Sequence, residues 1–331
     1  MKAIILAPFE QASLHRLQQR LQVLYESWME SGKMYDPEEL GERLCREGIS
    51  IVVTEIDFLF RETFEKAPGL KLVAMCRAGT NQVDLESATE LGVAVVHTPQ
   101  RNAVAVAELT VGLLLSLARR IPQAHAAIIS KHWESPLDGY LQFRGVELSG
   151  KTAGILGLGA IGSLVAQRLL AFQMRVLAHD PYLPAERAKA LGVELADLET
   201  VLKESDFLSL HLPLTPETEG LLSAQRLRLM KPTAYLINTG SGGVLDEDVL
   251  AEALRQRAIA GAALDVFGGH PLPPTSPLLA LDNVVLTPHI GGATQETVQR
   301  YSEMVTEDIL RFLDGQRPLH LANPEVWKQR R

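Results

Sequence analysis

Short apolar runs punctuate the chain, set between longer segments of mixed polarity. AIILA (3–7), LQVLY (21–25), SIVVT (50–54), LKLVAMC (70–76) and VAVVHT (93–98) form a first series. TAGILG (152–157), MRVLAHD (174–180), FLSLHLP (207–213), AYLINT (234–239), AGAALDVF (260–267) and NVVLTP (283–288) form a second. Runs this short and this continuously apolar suit parallel strands covered on both faces. The segments between them, such as FEQASLHRLQQR and DPEELGERLCREG, fit connecting helices, and Asp36 and Pro37 stand where a cap and a first helical residue belong. The βαβ rhythm therefore predicts an α/β protein with two doubly wound parallel sheets in tandem.

The stretch VAVAELTVGLLLSLARRIPQAHAAIISKHW (104–133) separates the two series. It is rich in Ala and Leu and reads as a long, strong helix former. Its apolar content exceeds what one solvent-facing helix needs, which predicts that it crosses between domains or packs against a second subunit. The last long segment, QETVQRYSEMVTEDILRFLDGQ, also reads as a helix and is expected to return to the first domain. The expected organisation is a discontinuous first domain over 1–103 and 296–331, and a second domain over 104–295.

Composition narrows the function classes. At 331 residues and 46 % hydrophobic content, the chain can fill two cores of ordinary size. A net charge of −8 without a basic block gives no footprint for a nucleic-acid partner, and the terminal KQRR is expected to be a solvated tail. The longest apolar candidate, VGLLLSLA, falls far short of the roughly 20 residues of a membrane span. Cys45 and Cys76 form neither a CxxC pair nor a metal site, which fits reduced thiols and a cytoplasmic protein. No ligand cluster argues for a metal.

Chemistry first becomes specific at GLGAIG (157–162), placed between the strand TAGIL and the helix-like SLVAQRLLAF. GxGxxG alone is weak, but at a strand-to-helix turn it has a mechanism. Gly157 permits the tight turn, Gly159 lets backbone approach a pyrophosphate, and Gly162 allows close helix–strand contact. Ala160 and Ile161 offer backbone amides to phosphate at the helix start. Asp180 ends the next strand, where a carboxylate accepts bonds from the adenosine ribose and repels a 2′-phosphate, so NAD is expected as cofactor. A cap before Pro181 is the other use open to Asp180. The second domain is thus expected to be Rossmann-like.

The reacting end of such a site lies past the carboxyl ends of the later strands. NTGSGG (238–243), LDVFGGHP (264–271) and TPHIGGAT (287–294) qualify, as does CRAGTNQVD (76–84) in the first series. His289, flanked by Pro288, Gly291 and Gly292, is the candidate acid/base, since imidazole gains or loses a proton near neutral pH; a structural histidine is the alternative. Asp265 either binds a nicotinamide carboxamide or caps backbone amides in a turn. Pro213, Thr239, Gly240, Gly291 and Gly292 lie in the strand-end loops and are expected to touch the cofactor. Arg77, Ala78, Gly79, Thr80 and Asn81 either bind a substrate carboxylate or phosphate, largely through backbone amides, or form a plain strand-to-helix turn.

These segments, in this order, resemble the D-isomer-specific 2-hydroxyacid dehydrogenase family, its phosphoglycerate dehydrogenase branch most of all. RAGTNQVDL, NAVAVAELTVGLLL, GILGLGAIG, HLPLTPETEGLL, LINTGSGGVLDE, AGAALDVFGGHPLPP and NVVLTPHIGGAT carry the resemblance. It implies an NAD-dependent oxidoreductase with a cleft between domains, acting on the CH–OH or C=O group of a small 2-hydroxy acid or related compound. It also implies that 1–103 with 296–331 is a flavodoxin-like substrate-binding domain and 104–295 the NAD-binding domain, and that a homodimer forms through the 104–133 region. Of the family's arginine, glutamate and histidine, only the histidine is kept, at His289. Ser241 holds the arginine position and His270 the glutamate position. A hydroxyl cannot neutralise a carboxylate, and an imidazole beside His289 can fix its tautomer without supplying a full negative charge. Arg77, Arg101 and Arg144 are candidates to replace the missing cation. The alternative expectation is a non-catalytic NAD(H)-binding or redox-sensing protein.

Overall fold

A computed structural model describes residues 1–328; residues 329–331 of the expected basic tail lie outside the described residues. The chain divides into two compact units, residues 1–101 with 294–328, and Asn102–Ala293. The divisions fall two residues from the expected ones because Asn102 and Thr294 are the N-cap positions of helices Ala103–Ala118 and Gln295–Leu313.

Unit 1 contains five parallel strands, β1 (Lys2–Ile5), β2 (Gln22–Tyr25), β3 (Ile51–Thr54), β4 (Leu72–Met75) and β5 (Ala94–Val96). Their order, β2-β1-β3-β4-β5, is that of a flavodoxin-like sheet. Because side chains alternate along a strand, Ile51 and Val53 enter one core and Val52 the other. Helix Gln295–Leu313 buries Tyr301, Val305, Ile309 and Phe312 in the first of these cores, as its return to this domain required. At the helix Pro37–Arg46, the Asp36 carboxylate accepts from the Glu38 amide and Pro37 opens the helix.

Unit 2 carries β6 (Thr152–Leu156), β7 (Arg175–His179), β8 (Glu194–Leu195), β9 (Phe207–Leu210), β10 (Tyr235–Asn238), β11 (Gly261–Leu264) and β12 (Val284–Leu286). The parallel order β12-β11-β10-β9-β6-β7-β8 is the doubly wound dinucleotide-binding order with one further strand. The strand pattern does not reveal β8, which is two exposed residues long and has no apolar run to betray it. Leu208, Leu236 and Leu264 face one core, while Phe207, Ile237 and Ala263 face the other. Each fully buried side chain of Leu size contributes about 1.5–3 kcal/mol, which makes register errors that would turn these strands over prohibitive.

The single helix expected over 104–133 is two. Ala103–Ala118 ends at Arg119, and Ile121–Ile129 begins after Arg120, whose φ is 52°. Pro122 stands in the first turn of the second helix, where a ring in place of an amide is tolerated; within a continuous helix it would break the ladder. The apolar content of the first helix is largely consumed inside unit 2, where Leu113, Leu114 and Leu117 pack with Val165 and Leu169. Ile121, Ile128, Ile129 and Trp133 stay exposed. Among the described residues, no helix is long and apolar enough to cross a membrane, and no group of side chains could hold a metal ion.

Candidate functional site

Register decides where the functional loops lie. Leu156, Leu210, Asn238, Leu264 and Leu286 are paired across neighbouring strands at the same level. The loops that follow them therefore start side by side along one edge of the unit 2 sheet. Strands β6 and β9 are adjacent there although distant in sequence, which is the switch point where such sheets bind ligands.

Gly157 has φ 88°, and a Cβ on it would lie 2.9 Å from the His211 carbonyl, so only glycine turns the chain there. A Cβ on Gly162 would collide with the Gly157 carbonyl, which is why helix and strand can touch. At Gly159 a Cβ would meet no protein atom within 4 Å, so the fold itself leaves room for a side chain there. Gly159 is also the N-cap of helix Ala160–Ala171, with no side chain capping the first-turn amides. That combination is an anion cradle, suited to a pyrophosphate. The imidazole of His211 lies at the end of β9; its Nδ1 is shielded from solvent without a partner, while Nε2 meets the Ser209 hydroxyl at 2.9 Å. Burial lowers its pKa to about 3, so it is neutral.

Asp180 is not a helix cap, since the next helix starts at Ala185. Its Oδ2 accepts from the Leu158 amide at 2.9 Å and its Oδ1 from the Tyr182 amide at 3.0 Å. It thus ties the glycine turn to the end of β7 and keeps a lone pair on each oxygen for ribose hydroxyls. The residues present fit a dinucleotide: a bare glycine, uncapped amides and a carboxylate at the second strand end.

The next loop, 239–243, is organised by Asn238, which the sequence pattern did not single out. Its side chain accepts from the Gly240 amide at 3.1 Å and donates to the Ser241 carbonyl at 2.9 Å. The Thr239 hydroxyl is buried against that of Thr110 at 2.8 Å, leaving only its backbone for a ligand. A Cβ on Gly242 would collide with the Phe267 backbone, and one on Gly240 would press on the Leu210 carbonyl at 3.0 Å. Ser241, in ordinary extended backbone, is half-buried.

Asp265 is 1 % exposed and clamps the last loop. It accepts from the Ile290 and Gly291 amides at 2.8 Å each, and from the Thr287 hydroxyl at 2.6 Å. Of its two expected uses, turn capping is the one these bonds display. His289 between them sits at φ 56°, an uncommon region for a residue with a Cβ. Such strain persists only when surroundings over-determine it, and it concentrates at functional positions. The exposed His289 ring places Nδ1 at 3.1 Å from Nε2 of His270, with ring centroids 4.9 Å apart. The structure thus brings together His270 and His289 from loops nineteen residues apart. Pro213 is exposed at the end of β9, and Gly292 lies beside Asn102.

In unit 1, residues 77–81 follow β4. Arg77 is partly buried, and burial, aided by nearby Arg101 and opposed by Glu55, pulls its guanidinium below the ordinary value. The loop is pinned at Ala78, whose carbonyl meets the His97 ring at 2.7 Å, and at Thr80, whose carbonyl takes the Val83 amide. Arg101 is buried, paired with Glu55 at 3.0 Å and stacked over Tyr301. In unit 2, Arg144 lines a pocket with Arg120 and Arg257 beside Asp282 and Asn283, at the amino ends of β10 and β11 and thus at the opposite sheet edge from the strand-end loops of that unit.

Comparison with known proteins agrees with the geometry. Residues 111–291 match the model of the NAD binding domain of D-isomer specific 2-hydroxyacid dehydrogenases. The chain is 43 % identical to a glyoxylate reductase of Thermofilum pendens, covering 87 % of this chain and 85 % of that one. It is 41 % identical to D-3-phosphoglycerate dehydrogenase of Methanocaldococcus jannaschii over 86 % of this chain but only 53 % of that enzyme, so it spans about half of that relative. A Thermus thermophilus protein of solved structure superimposes with a TM-score of 0.85 at 38 % identity, over 97 % of this chain and all of its own. The glycine turn, the two sheet orders and these likenesses together lead to one conclusion: the chain belongs to the D-isomer specific 2-hydroxyacid dehydrogenase family of NAD-binding oxidoreductases.

Proposed function

We propose that the protein is an NAD-dependent dehydrogenase that interconverts a CH–OH group and a C=O group in a small 2-hydroxy acid or related hydroxy compound, with His289 as acid/base. The observation that carries this is the imidazole of His289, held at φ 56° by the Asp265 clamp and oriented by His270 at 3.1 Å. Bound NAD supplies the hydride acceptor, and NADH the hydride. The chain does the rest. Uncapped amides of Gly159, Ala160 and Ile161 take the pyrophosphate, and Asp180 takes the adenosine ribose. The loop residues Pro213, Thr239, Gly240, Gly291 and Gly292 line the remainder of the cofactor. Asp265 has one Oδ2 lone pair left for a carboxamide donor.

With Nδ1 of His289 turned to His270, Nε2 is the atom that takes the hydroxyl proton on oxidation and returns it on reduction. His270 acts through His289: its Nε2, 3.1 Å from Nδ1 of His289, fixes the tautomer. Ser241 hydrogen-bonds the reacting oxygen or its neighbour. Arg77 and the loop Ala78–Asn81 bind a polar or anionic part of the substrate. Exposed Ile121, Ile128, Ile129 and Trp133 support a homodimer formed through the 104–133 region, and the free thiols of Cys45 and Cys76 support a cytoplasmic setting.

The test is His289→Asn, assayed for NADH-dependent carbonyl reduction and, separately, for NADH binding by fluorescence. Loss of a general acid/base lowers kcat by about 10²–10⁴-fold, while binding persists. Undiminished turnover by the variant would remove His289 from the mechanism. Failure of wild-type protein to turn over any carbonyl while binding NADH would favour the non-catalytic alternative.

A further inference from the structure

Three arginines of unit 2 converge at the sheet edge opposite the strand-end loops. Arg120 and Arg144 are brought together by a crossing of the chain. The Val146 amide donates to the Ala118 carbonyl at 2.8 Å, and a Cβ on Gly145 would collide with that same carbonyl. Arg257 follows the helix Glu247–Arg255. With Gln123, Tyr235 and Asp282, the three line a pocket of about 320 Å³ at the amino ends of β10 and β11. Small-molecule sites span roughly 300–1,000 Å³, so the pocket is the right size for a small ligand.

Charge in the pocket is unbalanced. Arg257 donates to the Asp282 carboxylate at 2.8 Å. The guanidiniums of Arg120 and Arg144 have no hydrogen-bond or ion-pair partner among the described residues. In a chain of net charge −8, two cations thus share one pocket without a carboxylate of their own. Like charges gathered in one place disfavour each other, and both forks keep their donors unspent.

The neighbouring polar atoms call for more than an anion. Gln123 donates through Nε2 to the Asp282 carbonyl at 3.1 Å, which fixes the orientation of its amide. Its Oε1 is thereby left shielded from solvent without a partner. Such a buried acceptor takes a donor, and a hydroxyl supplies one. Tyr235 stacks on Phe207 with ring centroids 5.2 Å apart. Burial, opposed by Arg120, raises its pKa, so its hydroxyl stays protonated and can donate. Glycine at 261 makes room for this ring, since a Cβ there would lie 3.3 Å from it.

We infer that this pocket binds a small phosphate monoester that also carries a hydroxyl. Its phosphate is close to a dianion near neutral pH, which matches the two unpaired guanidiniums in charge. The phosphate oxygens accept from both forks and from the Tyr235 hydroxyl. The hydroxyl of the ester donates to Oε1 of Gln123. The pocket and the glycine turn lie at opposite edges of one sheet, so ester and cofactor bind together and do not compete. The inference does not depend on the dehydrogenase function proposed above.

Calorimetric titration at constant ionic strength tests it with two probes, glycerol 3-phosphate and methyl phosphate. The second has the charge and lacks the hydroxyl. Wild-type protein is expected to bind glycerol 3-phosphate at one site per chain, about three- to tenfold more tightly than methyl phosphate, as one added hydrogen bond requires. Arg120→Asn, chosen because asparagine tolerates the φ of 52°, and Arg144→Gln are each expected to weaken binding about tenfold or more. NADH affinity, measured separately, is expected to stay unchanged in both. Gln123→Met is expected to erase the difference between the two esters. Absence of saturable binding by wild-type protein overturns the inference, whether a second copy covers the pocket or water fills it. Binding that survives both arginine substitutions overturns it as well, since the phosphate then sits elsewhere. Equal affinity of wild-type protein for the two esters overturns the assignment of a hydroxylated ligand. Arg144 is exposed, so Arg144→Gln decides the site even if Arg120→Asn does not fold.

Discussion

Replacing Asp265 with alanine isolates the clamp that presents His289. The carboxylate holds two amides and a hydroxyl and is 1 % exposed. In Asp265→Ala the Gly291 amide, in a buried residue, is stranded, which costs about 1–3 kcal/mol. Ile290 is exposed, so its amide finds water, and the Thr287 hydroxyl can rotate to another acceptor. Relief of the positive φ at His289 returns part of the loss, since such strain is worth roughly 1–3 kcal/mol. The net destabilisation is therefore modest, about 1–2 kcal/mol. For a unit of this size it amounts to a fall in Tm of about 2–8 °C.

Activity should respond far more steeply than stability. The relaxed loop no longer fixes the ring, and misplacement by about 1 Å in a reacting group costs on the order of 10²-fold in rate. The assay pairs thermal unfolding with initial rates of NADH-dependent reduction of the best carbonyl substrate. Asp265→Asn, which keeps one acceptor oxygen, should fall between the two. A variant Asp265→Ala with wild-type kcat would refute the clamp, as would a loss of Tm above about 15 °C, which would make Asp265 a core residue whose effect on His289 is incidental.

Three further outcomes are expected. Gly159→Ala should keep its Tm, because a Cβ there meets no protein atom within 4 Å, yet weaken NADH binding; Gly162→Ala should unfold the turn, because its Cβ collides with the Gly157 carbonyl. Equal effects of the two on Tm would contradict the cradle. Asp180→Ala should weaken NADH binding at least about tenfold by removing both the ribose acceptor and the tether to Leu158, and an unchanged Kd by fluorescence titration would contradict the ribose assignment. His211 has a folded pKa lowered to about 3, so the unfolded chain binds the extra proton between about pH 6.5 and 3. Its contribution to stability is complete above about pH 6.5 and is lost as pH falls through that window, by about 1.4 kcal/mol per unit. Urea titrations of wild type and His211→Gln should diverge by that slope; parallel curves would mean that the histidine is protonated in the folded protein.

Much of the fold was written in periodicity. Eleven strands announce themselves as apolar runs because parallel strands buried on both faces have no room for polar residues. The exposed pair Glu194–Leu195 gave no such signal. The break at Arg119–Arg120 was signalled only by Pro122, whose ring rules out helix continuity but whose effect is easily missed inside a strongly apolar stretch. GLGAIG was legible because glycine needs are local: a positive φ, a collision, a bare approach. Asn238, Thr110 and Leu158 were not, because nothing in their own neighbourhood marks what they bond across space.

The sequence by itself therefore determined which residues are available: one histidine in a shaped loop, and a serine and a second histidine where charges are usual. Tertiary structure alone decided that Leu210, Asn238, Leu264 and Leu286 end level, so that four separate loops begin along one edge. It also decided that Asp265 is spent on clamping amides, and that His270 and His289 meet at 3.1 Å. The physical reason is range. Burial and backbone preferences act residue by residue and leave a pattern in the chain, whereas hydrogen bonds and ring contacts form between positions that only the packing of the sheet brings within reach.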